Sequence, residues 1–246
     1  MKLDVVAFAA HPDDVELACS GTLISLIAQG KKVGIVDLTR GELGTRGTPE
    51  LRKKEAEKAA EVIGVTVREN LGIEDGNIQN TRANQLKVME MVRAYQPDLC
   101  FIPGPEDRHP DHRNANRLLV DALFFSGLKN IDTKSAGKAQ KSWRPFHILQ
   151  FMHNWPFDPD VIFDITATIE TKEKAILAFS SQFNIPEGDD GPKTFISGSD
   201  FFEGLRGKAR HYGHLIGVTF GEPFSYFGGP LPASNFDHLF QHKPIR

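Results

Sequence analysis

The sequence predicts an α/β fold with a mainly parallel sheet covered by helices on both faces, formed by one domain over residues 1–246. Three observations carry this. Short apolar runs alternate with segments of helical periodicity, which implies right-handed crossovers between parallel strands. The runs are apolar on consecutive positions rather than on alternate ones, as in strands buried on both faces. No internal repeat or shift in composition marks a boundary, and 246 residues suffice for one well-buried core.

Taken in order, Leu3 to Ala9 reads as the first strand. Val15, Ala18, Cys19, Thr22, Leu23, Leu26 and Ile27 follow at helical spacing, and Gly30 ends that helix. Val33 to Leu38 reads as the second strand, and Ala56, Ala59, Ala60 and Ile63 mark the inward stripe of a second helix ending at Gly64. Val65 to Leu71 is a third strand, and Leu86, Met89, Val92 and Tyr95 lie along a third helix. Leu99 to Ile102 is a fourth strand, followed from about Asp111 by a helix facing inward through Ala115, Leu119, Ala122 and Leu123. The Lys-rich stretch 129–141 and the Gly, Pro and Asp-rich stretch 184–199 read as loops, and the last 26 residues as extended structure.

Composition excludes several classes of function. Lys plus Arg (29) nearly balances Asp plus Glu (32), and no block of like charge offers a surface to nucleic acid or to a membrane. Two cysteines, Cys19 and Cys100, cannot form a disulfide framework and fit a reducing compartment. No stretch reaches the length of a membrane span, and Asp4 interrupts the only run resembling a leader. A cytoplasmic protein is expected.

The chemistry lies in two polar clusters just after strands. His11-Pro12-Asp13-Asp14 follows the first strand, and His109-Pro110-Asp111-His112 follows the fourth. Ligands of open parallel sheets bind beyond the carboxyl ends of the strands. In the common doubly wound order the first and fourth strands are neighbours, so the two clusters would meet in one crevice. His11 and Asp14 stand three apart at a helix start, as do His109 and His112, and His112 continues the inward stripe of its helix. Two histidines and one carboxylate with a position left for water is a catalytic zinc arrangement. The same donors also bind Fe(II), so the metal stays open here. A nucleotide-binding domain fits poorly, because no Gly-rich cradle follows the first strand and its carboxylates would repel a pyrophosphate. Arg52 extends the inward stripe of the second helix toward the strand ends, where it could grip a substrate carboxylate or form a salt bridge.

These two clusters resemble the PIG-L/LmbE-like family of zinc-dependent N-acetylglucosamine deacetylases. Flanking stretches resemble its bacillithiol-biosynthesis branch, which acts on N-acetylglucosaminyl-malate: Asp37-Leu38-Thr39, Gly47-Thr48-Pro49-Glu50-Leu51-Arg52, Glu106-Asp107-Arg108 and Ser181-Gln182-Phe183. The resemblance implies a Rossmann-like domain, a homo-oligomer and a small N-acetylated sugar as substrate. It also implies that His11, Asp14 and His112 bind Zn2+, with Fe2+ as the other option. Asp13 would be the general base, His109 would stabilise or protonate the intermediate, and Asp111 would orient His109. Arg52, Arg108 and Arg144 would line the substrate site. The sequence departs from the family at Phe201 and Phe202, near which relatives often carry a Tyr.

Overall fold

The computed structural model describes residues 1–183, 192 and 194–229. Its first half alternates strictly: β1 (Val5–Ala9), α1 (Asp14–Ala18), α2 (Ser20–Ala28), β2 (Val33–Asp37), α3 (Pro49–Ile63), β3 (Val67–Asn70), α4 (Arg82–Tyr95), β4 (Leu99–Pro103) and α5 (Pro110–Phe125). A small hairpin, β5 (Lys134–Ser135) and β6 (Lys138–Ala139), comes next, followed by β7 (His147–Phe151) and β8 (Val161–Asp164). The remaining elements are α6 (Ile169–Leu177), α7 (Ser180–Phe183), α8 (Ser199–Leu215) and β9 (Gly221–Tyr226).

The main sheet has the order β3-β2-β1-β4-β7-β9-β8. All pairings from β3 to β7 are parallel, and β9 runs antiparallel to both its neighbours. β1 and β4 pair directly, Val5 opposite Leu99 and Ala7 opposite Phe101, so the expected adjacency is observed. Side-chain alternation divides the core into two layers. Val6 and Phe8 of β1 pack with Met89 and Val92 of α4 and Leu119 of α5. Val5, Ala7 and Ala9 pack with Leu23, Ile63 and Ala175 from the helices of the opposite face. The arrangement is an α/β sandwich whose 3-2-1-4 segment is doubly wound.

Helix ends follow sequence chemistry. Thr48 caps α3, its hydroxyl accepting from Leu51 N, and Pro49 occupies the first turn. Gly64 closes that helix at φ 84°, a left-handed conformation in which glycine carries no Cβ penalty.

Three expectations are corrected. The first helix is two helices, because Cys19 leaves the helical region at φ −142° between α1 and α2. The stretch 129–141 contains the β5–β6 hairpin. The sheet gains β7, β8 and β9 beyond the four strands read from sequence. The extended C-terminal reading covers β9, whereas residues 230–246, and most of the stretch 184–199, lie outside the described residues. No helix among the described residues is long and apolar enough to cross a membrane.

Candidate active site

The carboxyl ends of the parallel strands converge on one cavity of about 370 Å³. β1 delivers His11, Asp13 and Asp14; the segment after β3 delivers Asp75; β4 delivers Arg108, His109 and His112. Direct pairing of β1 with β4 brings together clusters nearly a hundred residues apart.

Asp14 stands at the centre. Its Oδ2 accepts the His11 backbone N–H at 2.8 Å and lies 3.5 Å from His11 Nδ1. Its Oδ1 lies 3.2 Å from His112 Nε2. Each imidazole turns its other nitrogen to an outer carboxylate. His11 Nε2 faces Asp75 Oδ1 at 3.1 Å and Asp111 Oδ2 at 3.3 Å. His112 Nδ1 sits 2.9 Å from Asp107 Oδ1. An imidazole whose far nitrogen is held by a carboxylate has its tautomer fixed and its near nitrogen made more basic, the usual support of a metal ligand. Ligand atoms also group within 4.8 Å as His11 with His109 and His112, as Asp14 with His112 and His153, and as His11 with Asp75 and Asp111.

Electrostatics fit a cation. Burial opposes charge on both rings, but Asp111, Asp14 and Asp75 outweigh it at His11, whose pKa lies well above the ordinary value. At His112, Asp14 and Asp107 likewise overcome burial and raise the pKa to about 9. Asp14 is held well below the carboxylate range, against its burial, by His112 and His153. The cluster therefore favours positive charge among its donors.

Asp13 is placed differently. It precedes α1 at φ 116°, a conformation that costs a non-glycine residue of order 1–3 kcal/mol and clusters at functional sites. This turn directs its carboxylate away from Asp14's partners to Arg52, whose Nη2 lies 3.1 Å from Asp13 Oδ2 and also donates to the Pro12 carbonyl. Burial raises the Asp13 pKa to about 7, and Arg52 limits the rise.

His109 is solvent-exposed at the entrance. Its ring centroid is 4.8 Å from His11 and 4.9 Å from His112. Its Nδ1 accepts the Asp111 backbone N–H at 3.2 Å, which leaves the proton of the neutral ring on Nε2. Desolvation, with His11 and His112 nearby, lowers its pKa.

Three expectations change here. Asp111 orients His109 through its backbone, while its carboxylate accepts from Gly76 N at 2.7 Å and faces His11. Arg52 lines the cavity, but its Nη2 is engaged by Asp13 and the Pro12 carbonyl, and its Nε has no hydrogen-bond partner. Arg144 precedes β7 at the amino end of the strands, stacks on Phe124 at 4.1 Å and donates to its carbonyl, apart from the cavity. Arg108 does line the cavity, its guanidinium 4.3 Å over the Phe195 ring. Phe201 lines it too, with no hydroxyl to offer. Sequence reasoning missed Asp75, Asp107 and His153. Asp107 accepts from the His109, Asn154 and Trp155 amides as well as facing His112, and so ties the β4 and β7 loops together. His153 follows β7 by two residues, as His11 follows β1, and that parallel was the signal available.

Buried imidazoles and carboxylates converging beside a separate, partnered carboxylate define the class: a metal-dependent hydrolase. The chain belongs to the GlcNAc-PI de-N-acetylase (PIG-L) family, whose pattern matches residues 6–123 and contains both clusters. It is 28% identical to the diacetylchitobiose deacetylase of Thermococcus kodakarensis, over 92% of this chain and 83% of that protein. It is 27% identical to a probable N-acetyl-alpha-D-glucosaminyl L-malate deacetylase 2 of Bacillus cereus, over 74% of this chain and 84% of that protein. The crystal structure of a conserved protein from Thermus thermophilus, TT1542, superposes with a TM-score of 0.82 at 36% identity, covering 95% of this chain and 97% of that one.

Proposed function

We propose that this chain hydrolyses the acetamide of an N-acetylglucosamine conjugate, releasing acetate and a free amine, with zinc held by His11 Nδ1, Asp14 and His112 Nε2. The observation that carries the reading is Asp14 lying between two imidazoles whose outer nitrogens are each held by carboxylates. When bound, zinc would supply Lewis acidity to the acetamide carbonyl and acidify a water molecule.

The chain's own groups do the rest. Asp13, turned toward Arg52, accepts a proton from the attacking water at a carboxylate whose pKa of about 7 suits both taking and returning it. Arg52 holds that carboxylate in place. His109 directs Nε2–H at the oxyanion of the tetrahedral intermediate, its tautomer set by the Asp111 amide. Asp13, once protonated, is an acid available to the departing amine, and His109 is the other.

For the aglycone, Arg108 at the cavity wall has no carboxylate partner among the described residues, which supports an acidic group such as malate. The longer match to a diacetylchitobiose deacetylase favours a second sugar instead. Acetate release from N-acetylglucosaminyl-malate, diacetylchitobiose and free N-acetylglucosamine decides between them. The malate conjugate is expected to have the highest kcat/KM, and an equal or higher value for diacetylchitobiose rejects the malate reading alone. Asp13→Ala should keep one equivalent of zinc and lose at least about a hundredfold in kcat. Turnover near that of the unaltered enzyme would remove Asp13 as the base.

A further inference from the structure

We propose that Phe195 is a positioning residue for an anionic aglycone, holding Arg108 so that its guanidinium grips a carboxylate at the cavity wall. The inference rests on the reading of Arg108 as the contact for an acidic aglycone. It extends that reading to a residue outside both sequence clusters and outside the matched segment 6–123.

The Lys and Arg side chains that line the cavity are Arg52, Arg108 and Lys208. Arg52 is ion-paired with Asp13 and donates to the Pro12 carbonyl. Lys208 donates its Nζ to the carbonyls of Met152 at 2.7 Å and His153 at 2.6 Å. The Arg108 side chain alone has neither an ion pair nor a hydrogen bond among the described residues. Its contact is with a ring: the guanidinium lies 4.3 Å from the centroid of Phe195. An aromatic face attracts the cation through its quadrupole and takes up no conventional hydrogen bond. The N–H donors of Arg108 therefore stay available, in the planar fork that matches a carboxylate bidentately.

Local sequence places that ring. Thr194 and Ser197 close a turn: Ser197 N donates to the Thr194 carbonyl at 3.2 Å, and Thr194 N donates to Ser197 Oγ at 2.8 Å. The closure displays the two residues between them, Phe195 and Ile196, and both line the cavity. Phe195 meets Phe201 of α8 with centroids 5.5 Å apart, and Phe201 stacks on Phe183 of α7 at 5.9 Å. The row of rings fixes where Arg108 finds its aromatic face. The main chain of Arg108 is set from the other side, because Asp107 accepts the His109 backbone N–H at 3.0 Å and sits 2.9 Å from His112 Nδ1. A long cationic side chain ordered before the substrate arrives loses less freedom on binding, which strengthens the grip without a new contact.

The test measures binding of glucosaminyl-malate, the deacetylated product, to the full zinc-loaded chain by calorimetry, with methyl glucosaminide as the neutral counterpart. Phe195 is 62% exposed on a surface turn, so its replacements leave the core intact. Arg108→Ala should weaken glucosaminyl-malate about tenfold or more, the scale of a hydrogen bond to a charged group. Phe195→Ala should weaken it about three- to thirtyfold. Phe195→Leu, which keeps apolar bulk without an aromatic face, should lose as much, and Phe195→Trp should restore affinity. Each loss should be smaller for methyl glucosaminide. In the Arg108→Ala background, Phe195→Ala should cost less than about twofold, because the ring then has no cation to hold. Equal losses for the two ligands, or a Phe195→Ala loss as large in that background as in the unaltered chain, overturn the proposal. A chain that shows this coupling but releases no acetate from any N-acetyl conjugate would reject the deacetylase reading and leave this one standing.

Discussion

At the scale of single residues, two adjacent aspartates meet different surroundings because of where one peptide unit turns. Asp14 faces the imidazoles and is held ionised; Asp13, at positive φ, faces Arg52 and keeps a raised pKa. The pH consequence has a definite sign. Burial raises the Asp13 pKa, so its base form is populated only as pH climbs through a range above that of an ordinary carboxylate, and kcat/KM should have an acid limb there. Arg52 lowers that pKa, so Arg52→Gln should move the limb to higher pH by about one unit or more. A pH–rate profile with the limb unmoved or shifted to lower pH would show that Arg52 does not tune the base. The sequence made Asp13, Asp14, His11 and His112 legible because their spacing at a helix start follows an apolar strand. It made the direction of Arg52 legible, through the stripe it extends, but not its partner. A cation aimed at the strand ends meets whichever anion the backbone turns toward it, and the φ of Asp13 is not written in residue type. Asp75 and Asp107 were hidden for a related reason: each reaches its histidine across a loop, where no periodicity places a side chain.

At the scale of elements, the strands buried on both faces were the readable ones. β1, β2 and β4 are near-continuous apolar runs, and their order put the two clusters side by side. β7 was not read, since His147 and Gln150 interrupt it, and β9 was read only as extended chain, since Glu222, Pro223 and Ser225 interrupt it. Glu222 shows why a strand this polar is still stable in the core. Its carboxylate accepts from Gly21 N, Thr22 N and Thr22 Oγ1 at the start of α2, and from Lys172 Nζ at 2.6 Å. Lys172 also donates to the Leu17 carbonyl at the end of α1, so the pair fastens the antiparallel strand to the helices behind Asp13 and Asp14. Removing one partner of a buried ion pair strands the other. Lys172→Met should therefore destabilise the chain by about 3–5 kcal/mol, lowering Tm by roughly 6–20 °C in a chain of this size. A melting curve within about 2 °C of the unaltered protein would mean that the pair contributes little.

For the whole molecule, the fold explains why the chemistry collects where it does. Parallel strands all end on the same side, so short polar segments after β1, β3, β4 and β7 share one cavity while the apolar layers stay dry beneath them. The doubly wound plan was legible from alternation alone. The antiparallel β9 and the helix α8 that walls the cavity with Phe201, Leu205 and Lys208 were not, because that part of the chain mixes charged and aromatic residues without a clean period. The site depends on both halves: His11, Asp14 and His112 come from the readable half, and Phe201, Leu205 and Lys208 of the cavity wall from the other. Its central premise is that one ion sits among His11, Asp14 and His112. The most direct test is an anomalous difference map from a zinc-loaded crystal, collected on both sides of the zinc edge. The account predicts one strong peak within about 2.0–2.2 Å of His11 Nδ1, an Asp14 oxygen and His112 Nε2. A peak bound away from any of those three, or none in a crystal shown to contain zinc, would contradict it.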